Sequence, residues 1–233
     1  MITVSVLMSV YDGEKFLREA IESVLDQTFK DFELLIVDDG STDSSIKIAE
    51  SFADQRIRII RLPHGGIVKA LNYGIQNASG EYIIRADADD VSLSTRFERL
   101  VNYMEENKEV EVCGSWAISI NEKGENLGEM KYPPIQNKEI RKYAVLHNPF
   151  IHPSVIFRRK ILDEVGGYRN FKHTEDYELW TRILSRHQGH NLGEFLLKYR
   201  VHHSQITKKK TLVMRCYGFF IRLLAIYRLG LRS

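Results

Sequence analysis

The chain has 233 residues, 43% of them hydrophobic and 27% charged, with a formal net charge of +2. That size and mix fit one large soluble domain rather than a disordered or fibrous chain, and so slight a charge is no footprint of a nucleic-acid binder. The two cysteines, Cys113 and Cys216, offer neither a disulfide framework nor a zinc-knuckle spacing. Free buried thiols in a reducing cytosol are expected. The N-terminus enters a strand at once, without a signal-peptide pattern. No run of about 18 apolar residues suggests a spanning helix.

In chain order, the first half alternates strand and helix signals. Strands are expected at 3–9, 32–37, 57–61 and 82–86, and helices at 15–25, 45–52 and 67–77. In the first helix Phe16, Leu17, Ala20, Ile21, Val24 and Leu25 recur on one face. Strand–helix–strand units at these spacings imply parallel strands joined by right-handed crossovers, with ligands at the strands' carboxyl ends. A further helix turns Phe97, Leu100, Val101 and Met104 inward. Beyond Val110 the pattern becomes a hairpin (110–120 and 126–131), a strand at 154–158, a helix at 174–186 and a strand near 195–201. The fold class expected is α/β: a three-layer α/β/α sandwich with a mostly parallel central sheet and a smaller mixed sheet.

The densest chemistry lies in Glu81-Tyr82-Ile83-Ile84-Arg85-Ala86-Asp87-Ala88-Asp89-Asp90. An apolar strand stops there and three carboxylates crowd the next four positions. Ionised carboxylates that close repel unless a cation neutralises them. Hard divalent ions take such oxygens, usually together with substrate phosphates. The competing reading is a solvated acidic turn.

Strand one ends in Ser9-Val10-Tyr11-Asp12-Gly13, where a tyrosine ring can face a flat base. Strand two ends in Val37-Asp38-Asp39-Gly40-Ser41-Thr42-Asp43, where a carboxylate can accept from a nucleobase N–H or a ribose hydroxyl. Helix capping by residues 41–43 would explain the hydroxyls but not the two aspartates. A phosphate-receiver domain would need an Asp at the end of strand three, and none is there. A nucleotidyltransferase would need a Gly-rich, Arg-containing loop after strand one, and Ser9–Glu14 is not that.

These segments, with Ser23-Val24-Leu25-Asp26-Gln27-Thr28-Phe29, Ala70-Leu71-Asn72, His152-Pro153-Ser154, Thr174-Glu175-Asp176-Tyr177-Glu178-Leu179-Trp180 and Tyr199-Arg200-Val201-His202, resemble the family 2 inverting glycosyltransferases of the A-type nucleotide-sugar fold. The resemblance runs from Val4 to about residue 207. It implies a single transferase domain over 1–207, with a nucleotide-sugar half (1–109) and an acceptor half (110–207). By resemblance, Ser9, Tyr11 and Asp39 contact the nucleoside, expected to be uridine, with Asp38 in support. Asp87 holds ribose or metal-bound water. Asp89 ligates Mg²⁺ or Mn²⁺, His202 approaches the metal or diphosphate unless His203 serves instead, and Asp176 is the catalytic base. His152 and Glu175 are candidate contacts to acceptor or phosphate. Many relatives carry Arg where this chain has Leu71, so Arg85 or Lys69 would have to supply that phosphate contact. Thr174 as an N-cap would put Glu175 and Asp176 in a helix's first turn, where the dipole favours the ionised form. Trp180 is expected in the core, and Trp116 can be either core or site.

The implied reaction moves a sugar from a UDP-sugar to a glycan or lipid-linked acceptor in surface-polysaccharide assembly. The rival is a catalytically silent nucleotide-sugar or glycan-binding subunit. Residues 208–232 are basic and aromatic, and Arg215, Arg222, Arg228 and Arg232 fall within an arc of about 140° on a helical wheel. An amphipathic helix of that kind suits an anionic membrane surface, here the inner face of the plasma membrane. Packing on the domain or on a second copy of the chain is the other reading.

Overall fold

The computed structural model describes residues 3–203, 205 and 212–230, with side chains of the last stretch described from Cys216. Four strands, β1 (Val4–Val10), β2 (Phe32–Asp38), β3 (Ile57–Arg61) and β4 (Tyr82–Asp87), pair in parallel in the order β3-β2-β1-β4. β1, β2 and nearly all of β4 are buried, as strands covered on both faces must be. Alternation along β1 sends Val4, Val6, Met8 and Val10 to one face and Leu7 to the other. The first face is covered by α1 (Leu17–Leu25), α2 (Ser45–Glu50) and α4 (Arg96–Glu106), which bury Leu17, Ala20, Ile21, Val24, Phe97, Leu100, Val101 and Met104. The opposite face takes α3 (Ile67–Asn77), α5 (Asn137–Tyr143), α6 (Arg159–Val165) and α7 (Glu175–Leu184), around Trp180.

The sheet continues past β4 through β8 (Ile156–Arg158), β6 (Val110–Ile120), β9 (Gln188–Arg200) and the two-residue β5 (Val91–Ser92), with β7 (Asn126–Met130) forming the hairpin on β6. The part expected as a smaller mixed sheet is therefore joined to the parallel strands by β8, antiparallel to both β4 and β6. β9 starts seven residues earlier than the sequence suggested. Its first half, Gln188–Glu194, holds two glycines and mostly polar residues, and takes strand form by parallel pairing with β6. β5, α5 and α6 are too short or too polar to announce themselves in the sequence.

The helix α8 (Leu212–Leu229) packs against α7. Ile221 and Ala225 are buried there, Arg228 donates to Glu178 Oε1 (3.1 Å) and Thr181 Oγ1 (2.7 Å), and Arg222 donates to the Leu146 carbonyl (3.0 Å). The domain thus recruits part of the basic side, while Phe219, Leu223, Ile226 and Tyr227 stay exposed on the opposite side. Lys208–Lys210, Arg232 and the Arg215 side chain lie outside the described residues. Cys113 is buried, but Cys216 is exposed, correcting the expectation of two buried thiols. Among the described residues no helix is long and apolar enough to cross a membrane.

Candidate active site

Chain order reverses across the sheet between β1 and β4, and a crevice opens at that switch point beyond the strands' carboxyl ends. It forms a cleft of about 1320 Å³. Ser9, Tyr11, Asp39, Lys69, Asp87, Asp89, His152, Glu175, Asp176 and His202 all line it. Asp38 and Arg85 do not.

Tyr11 is half exposed and lies against the His64 ring, centroids 4.3 Å apart. Its loop is tied to the one after β2: Asp12, with φ of 48°, accepts from the Thr42 N–H at 2.7 Å, and the Ser41 hydroxyl accepts from the Asp12 N–H at 3.0 Å. Asp43 accepts from the N–H groups of Glu14 and Ser45. Residues 41–43 therefore fasten two loops together, and Asp43 also takes the first N–H of α2, whose N-cap position is Ser44.

Asp38 turns back into its own loop, accepting from the Ser41 N–H at 3.2 Å, so any support it gives a nucleoside is indirect. Asp39 is buried and accepts from the N–H groups of Gly65 and Gly66, each at 2.8 Å. Gly40 allows this approach. Its φ is 79°, and a Cβ there would sit 2.8 Å from the His64 nitrogen. Lys69 stretches over Gly65 at the start of α3. Leu71 is buried in the core, and Asn72 beside it holds Tyr168 through a pair of 2.8 Å hydrogen bonds to that residue's backbone.

The acid cluster stands at the end of β4. Asp87, Asp89 and Asp90 can each offer an oxygen within 4.8 Å of the others. Burial, then the Asp87 charge, raises the Asp89 pKa. Asp90 is raised further, by burial and by both neighbours. Asp90 accepts from the Arg200 N–H at 2.8 Å, yet its other oxygen is buried without a hydrogen-bond partner. A cation fits here: it would satisfy that oxygen and relieve the mutual repulsion. His202 Nε2 lies 2.8 Å from Asp89 Oδ2, whereas His203 is exposed. Arg85 is fully buried beneath the cluster, paired with Asp87, with Ser9 Oγ at 3.4 Å. It braces Asp87 and does not itself line the cleft.

The facing wall is the start of α7. His173, with φ of 65°, turns the chain sharply into the helix. Thr174 holds the N-cap position without capping, since its hydroxyl donates to the Phe171 carbonyl at 3.3 Å. Asp176 accepts from Asn148 Nδ2 at 2.6 Å and from the Tyr177 N–H at 2.7 Å. Even so its pKa is raised, because burial outweighs those bonds. Burial, with the Asp176 charge adding, pushes Glu175 up to about 7. The helix dipole, expected to favour ionisation, is the weaker effect. Asp87 lies close enough to Asp176 to contribute to its shift, so the two walls face one another. His152 sits on the floor with Nε2 2.8 Å from the Tyr168 hydroxyl; burial holds its pKa well below the usual range and the ring neutral.

Trp180 is fully buried in the core. Trp116 is half-buried, donates to the Pro133 carbonyl at 3.2 Å, and does not line the cleft. Sequence reasoning passed over His64, Asn148 and Tyr168. Asn148 and His64 lie in loops whose direction no periodicity reveals, and Tyr168 is placed through a partner 96 residues away.

The sequence profile described as "Glycosyl transferase family 2" matches residues 5–166. The O-antigen biosynthesis glycosyltransferase WbnJ of Escherichia coli is 35% identical over 94% of this chain and 87% of its own. Among solved structures, S. aureus TarS 1-349 in complex with UDP-GlcNAc superposes with a TM-score of 0.80 at 19% identity, covering 99% of this chain and 68% of that one. The mannosyltransferase PcManGT of Pyrobaculum calidifontis, in complex with GDP-Man and Mn²⁺, gives 0.72 at 16% identity, over 97% and 64%. These structures share the three-layer fold described above. Profile and sequence relative cover most of the chain and agree, and on that ground the protein belongs to glycosyl transferase family 2.

Proposed function

We propose that the protein transfers a sugar, with inversion, from a UDP-sugar to a hydroxyl of a glycan or lipid-linked acceptor during bacterial surface-polysaccharide assembly. The observation that carries this reading is the opposition, across one cleft, of a carboxylate cluster at the β4 end and the lone hydrogen-bonded carboxylate of Asp176. Tyr11 and Asp39 take the nucleoside, and Ser9 stands at the edge of that pocket. Asp87, Asp89 and Asp90, with His202 beside Asp89, are the residues that would hold Mg²⁺ or Mn²⁺, and a bound ion would offset charge developing on the departing UDP. Lys69 at the start of α3 adds a cation on the same side.

Asp176 accepts the proton of the attacking acceptor hydroxyl. The hydroxyl oxygen bonds to the anomeric carbon as the bond from that carbon to the phosphate oxygen breaks, and UDP leaves. One base on the face opposite the leaving group suffices for inversion. Burial makes Asp176 a stronger base than an exposed carboxylate, and the Asn148 N–H keeps it aimed. The presence of Asp176 in the same cleft as the acid cluster and the WbnJ relative's stated role in O-antigen biosynthesis both support this reading over that of a silent binding subunit.

The nucleotide half (1–109) and acceptor half (110–207) act as one domain in the cytoplasm, at the membrane's inner face. Residues 208–232 carry seven Lys or Arg and no acid, whereas 1–207 carry 26 basic and 31 acidic residues. With the exposed apolar side of α8, that charge suits an anionic lipid surface; a second copy of the chain is the other partner this helix fits. Calorimetry tests the metal reading. Asp89→Ala is expected to weaken UDP binding in Mn²⁺ by tenfold or more, on the order of 1.4 kcal/mol, with no change without metal. Equal affinities in Mn²⁺ would refute it.

A further inference from the structure

The inner side of α8 rests on both segments that build the Asp176 wall of the cleft. Arg222 Nε donates to the Leu146 carbonyl at 3.0 Å, two residues before Asn148. The Phe171 ring lies against Tyr217 and Phe220, with centroids 5.7 and 6.2 Å away. The Phe171 carbonyl in turn accepts from the Thr174 N–H at 2.8 Å, in the turn that starts α7. Asn170 and Lys172, on either side of Phe171, line the cleft.

Residues 144–149 belong to no helix or strand, so their course is set by what grips them. The Tyr177 hydroxyl donates to the Ala144 carbonyl at 2.9 Å, and Asn191 Nδ2 donates to the Pro149 carbonyl at 3.1 Å. Arg222 holds the stretch between those anchors. Asn148 Oδ1 accepts from the Phe150 N–H at 3.4 Å, which turns the amide so that Nδ2 meets Asp176 at 2.6 Å. Hydrogen bonds weaken steeply with distance and angle, so the placement of this loop decides how well Asn148 serves Asp176.

We infer that Arg222 is a positioning residue: by holding the Leu146 carbonyl it fixes the loop that aims Asn148 at Asp176, and so makes α8 a working part of the site. The role of Asp176 as base rests on the transfer reaction proposed above; the positioning does not. Phe219, Leu223, Ile226 and Tyr227 are exposed on the other side of α8. The helix offered to lipid on one side therefore steadies the partner of the base on the other.

The groups that bear on Asp176 are Asp87 at the end of β4, Glu175 on its own helix, Tyr132 in the loop after β7 and Tyr168 in the loop after α6. His147, on the gripped loop, lies against the Tyr143 ring. Arg222 itself bears on Tyr177, next to Asp176, so an effect of its charge must be separated from an effect of position. The Asn148 bond favours the ionised carboxylate. Loosening the loop weakens that bond, raises the pKa of Asp176 and leaves less of it ionised at any given acid pH.

The test follows the Asp176 carboxyl by ¹³C NMR titration of the Mg²⁺-loaded full chain, with Asp176→Asn identifying the signal. Arg222 is exposed, so shortening it opens no void in the core. Arg222→Ala is expected to raise the midpoint by about 0.3–1 pH unit, a part of the rise produced by Asn148→Leu. Arg222→Lys is expected to stay within about 0.2 unit of wild type, because one ammonium donor suffices for one carbonyl. Added to Asn148→Leu, Arg222→Ala is expected to move the midpoint no further. UDP affinities within about twofold of wild type report that the variants are folded. A midpoint unmoved by Arg222→Ala would show that the loop holds itself, and one moved equally with and without Asn148 would show that Arg222 acts by charge alone. Either result overturns the inference and leaves the transferase reading standing. Full turnover in Asp176→Asn would instead overturn the base and leave the positioning intact.

Discussion

Asn148 illustrates how one neutral side chain sets the working range of a base. Its amide donates to Asp176 at 2.6 Å and stabilises the ionised form, opposing the burial that raises the carboxyl. Removing it leaves burial opposed only by backbone N–H bonds such as that of Tyr177, so the Asp176 pKa climbs further. Because Asp176 must be ionised to accept a proton, rate is lost as pH falls through its pKa. Asn148→Leu is accordingly expected to shift the acid limb of the rate profile upward by about 1–2 pH units, from a charged hydrogen bond of about 1.5–3 kcal/mol. Initial rates of transfer across the acid range check this; an unmoved limb would mean that Asn148 does not tune the base. At this scale the sequence was legible wherever carboxylates cluster locally. Asp87, Asp89, Asp176 and His202 stand in one cleft as the resemblance implied. It was less informative where a side chain's reach depends on burial: Arg85 lies buried beneath the cleft against Asp87 and Ser9, and Asp38 turns back into its own loop.

At the scale of elements, α7 is held as well as placed. Glu178 is fully buried, with Arg182 Nη2 at 2.8 Å and Arg228 of α8 at 3.1 Å. Arg182 in turn donates to the carbonyls of Val165 and Gly167, just ahead of Tyr168. One carboxylate thus joins α7, α8 and the loop that carries Tyr168. Glu178→Ala would strand a buried guanidinium and is expected to cost about 3–5 kcal/mol of stability, read from the urea midpoint; a loss under about 1 kcal/mol would show that the network is solvent-compensated. Helices and strands with a strong apolar period, such as α3 and β3, were readable from sequence nearly to the residue. The polar start of β9 was not, because its strand form comes from pairing with β6 rather than from its own side chains.

Over the whole molecule, charge is divided: a slightly acidic body carries a strongly basic C-terminal segment beside an exposed apolar helix side. That division predicts co-sedimentation with vesicles rich in phosphatidylglycerol, weakened by salt and by Phe219→Ser with Leu223→Ser, and absent with neutral vesicles. Equal binding to both vesicle types would exclude the electrostatic part. The sandwich itself was legible because a parallel sheet writes itself as alternating apolar runs and amphipathic helices. The continuity of the sheet was not, since β8 contributes only three residues to the join.

The account turns on Asp176 acting as the proton acceptor opposite a cation-bound diphosphate. The most direct measurement compares sugar transfer with UDP-sugar binding in Asp176→Asn, which keeps the side chain's shape and one accepting oxygen but has no basic oxygen to take a proton. Turnover is expected to fall by at least about 10²-fold, within the usual contribution of a general base, with donor affinity near that of wild type. An Asn variant that keeps most of its turnover would contradict the account.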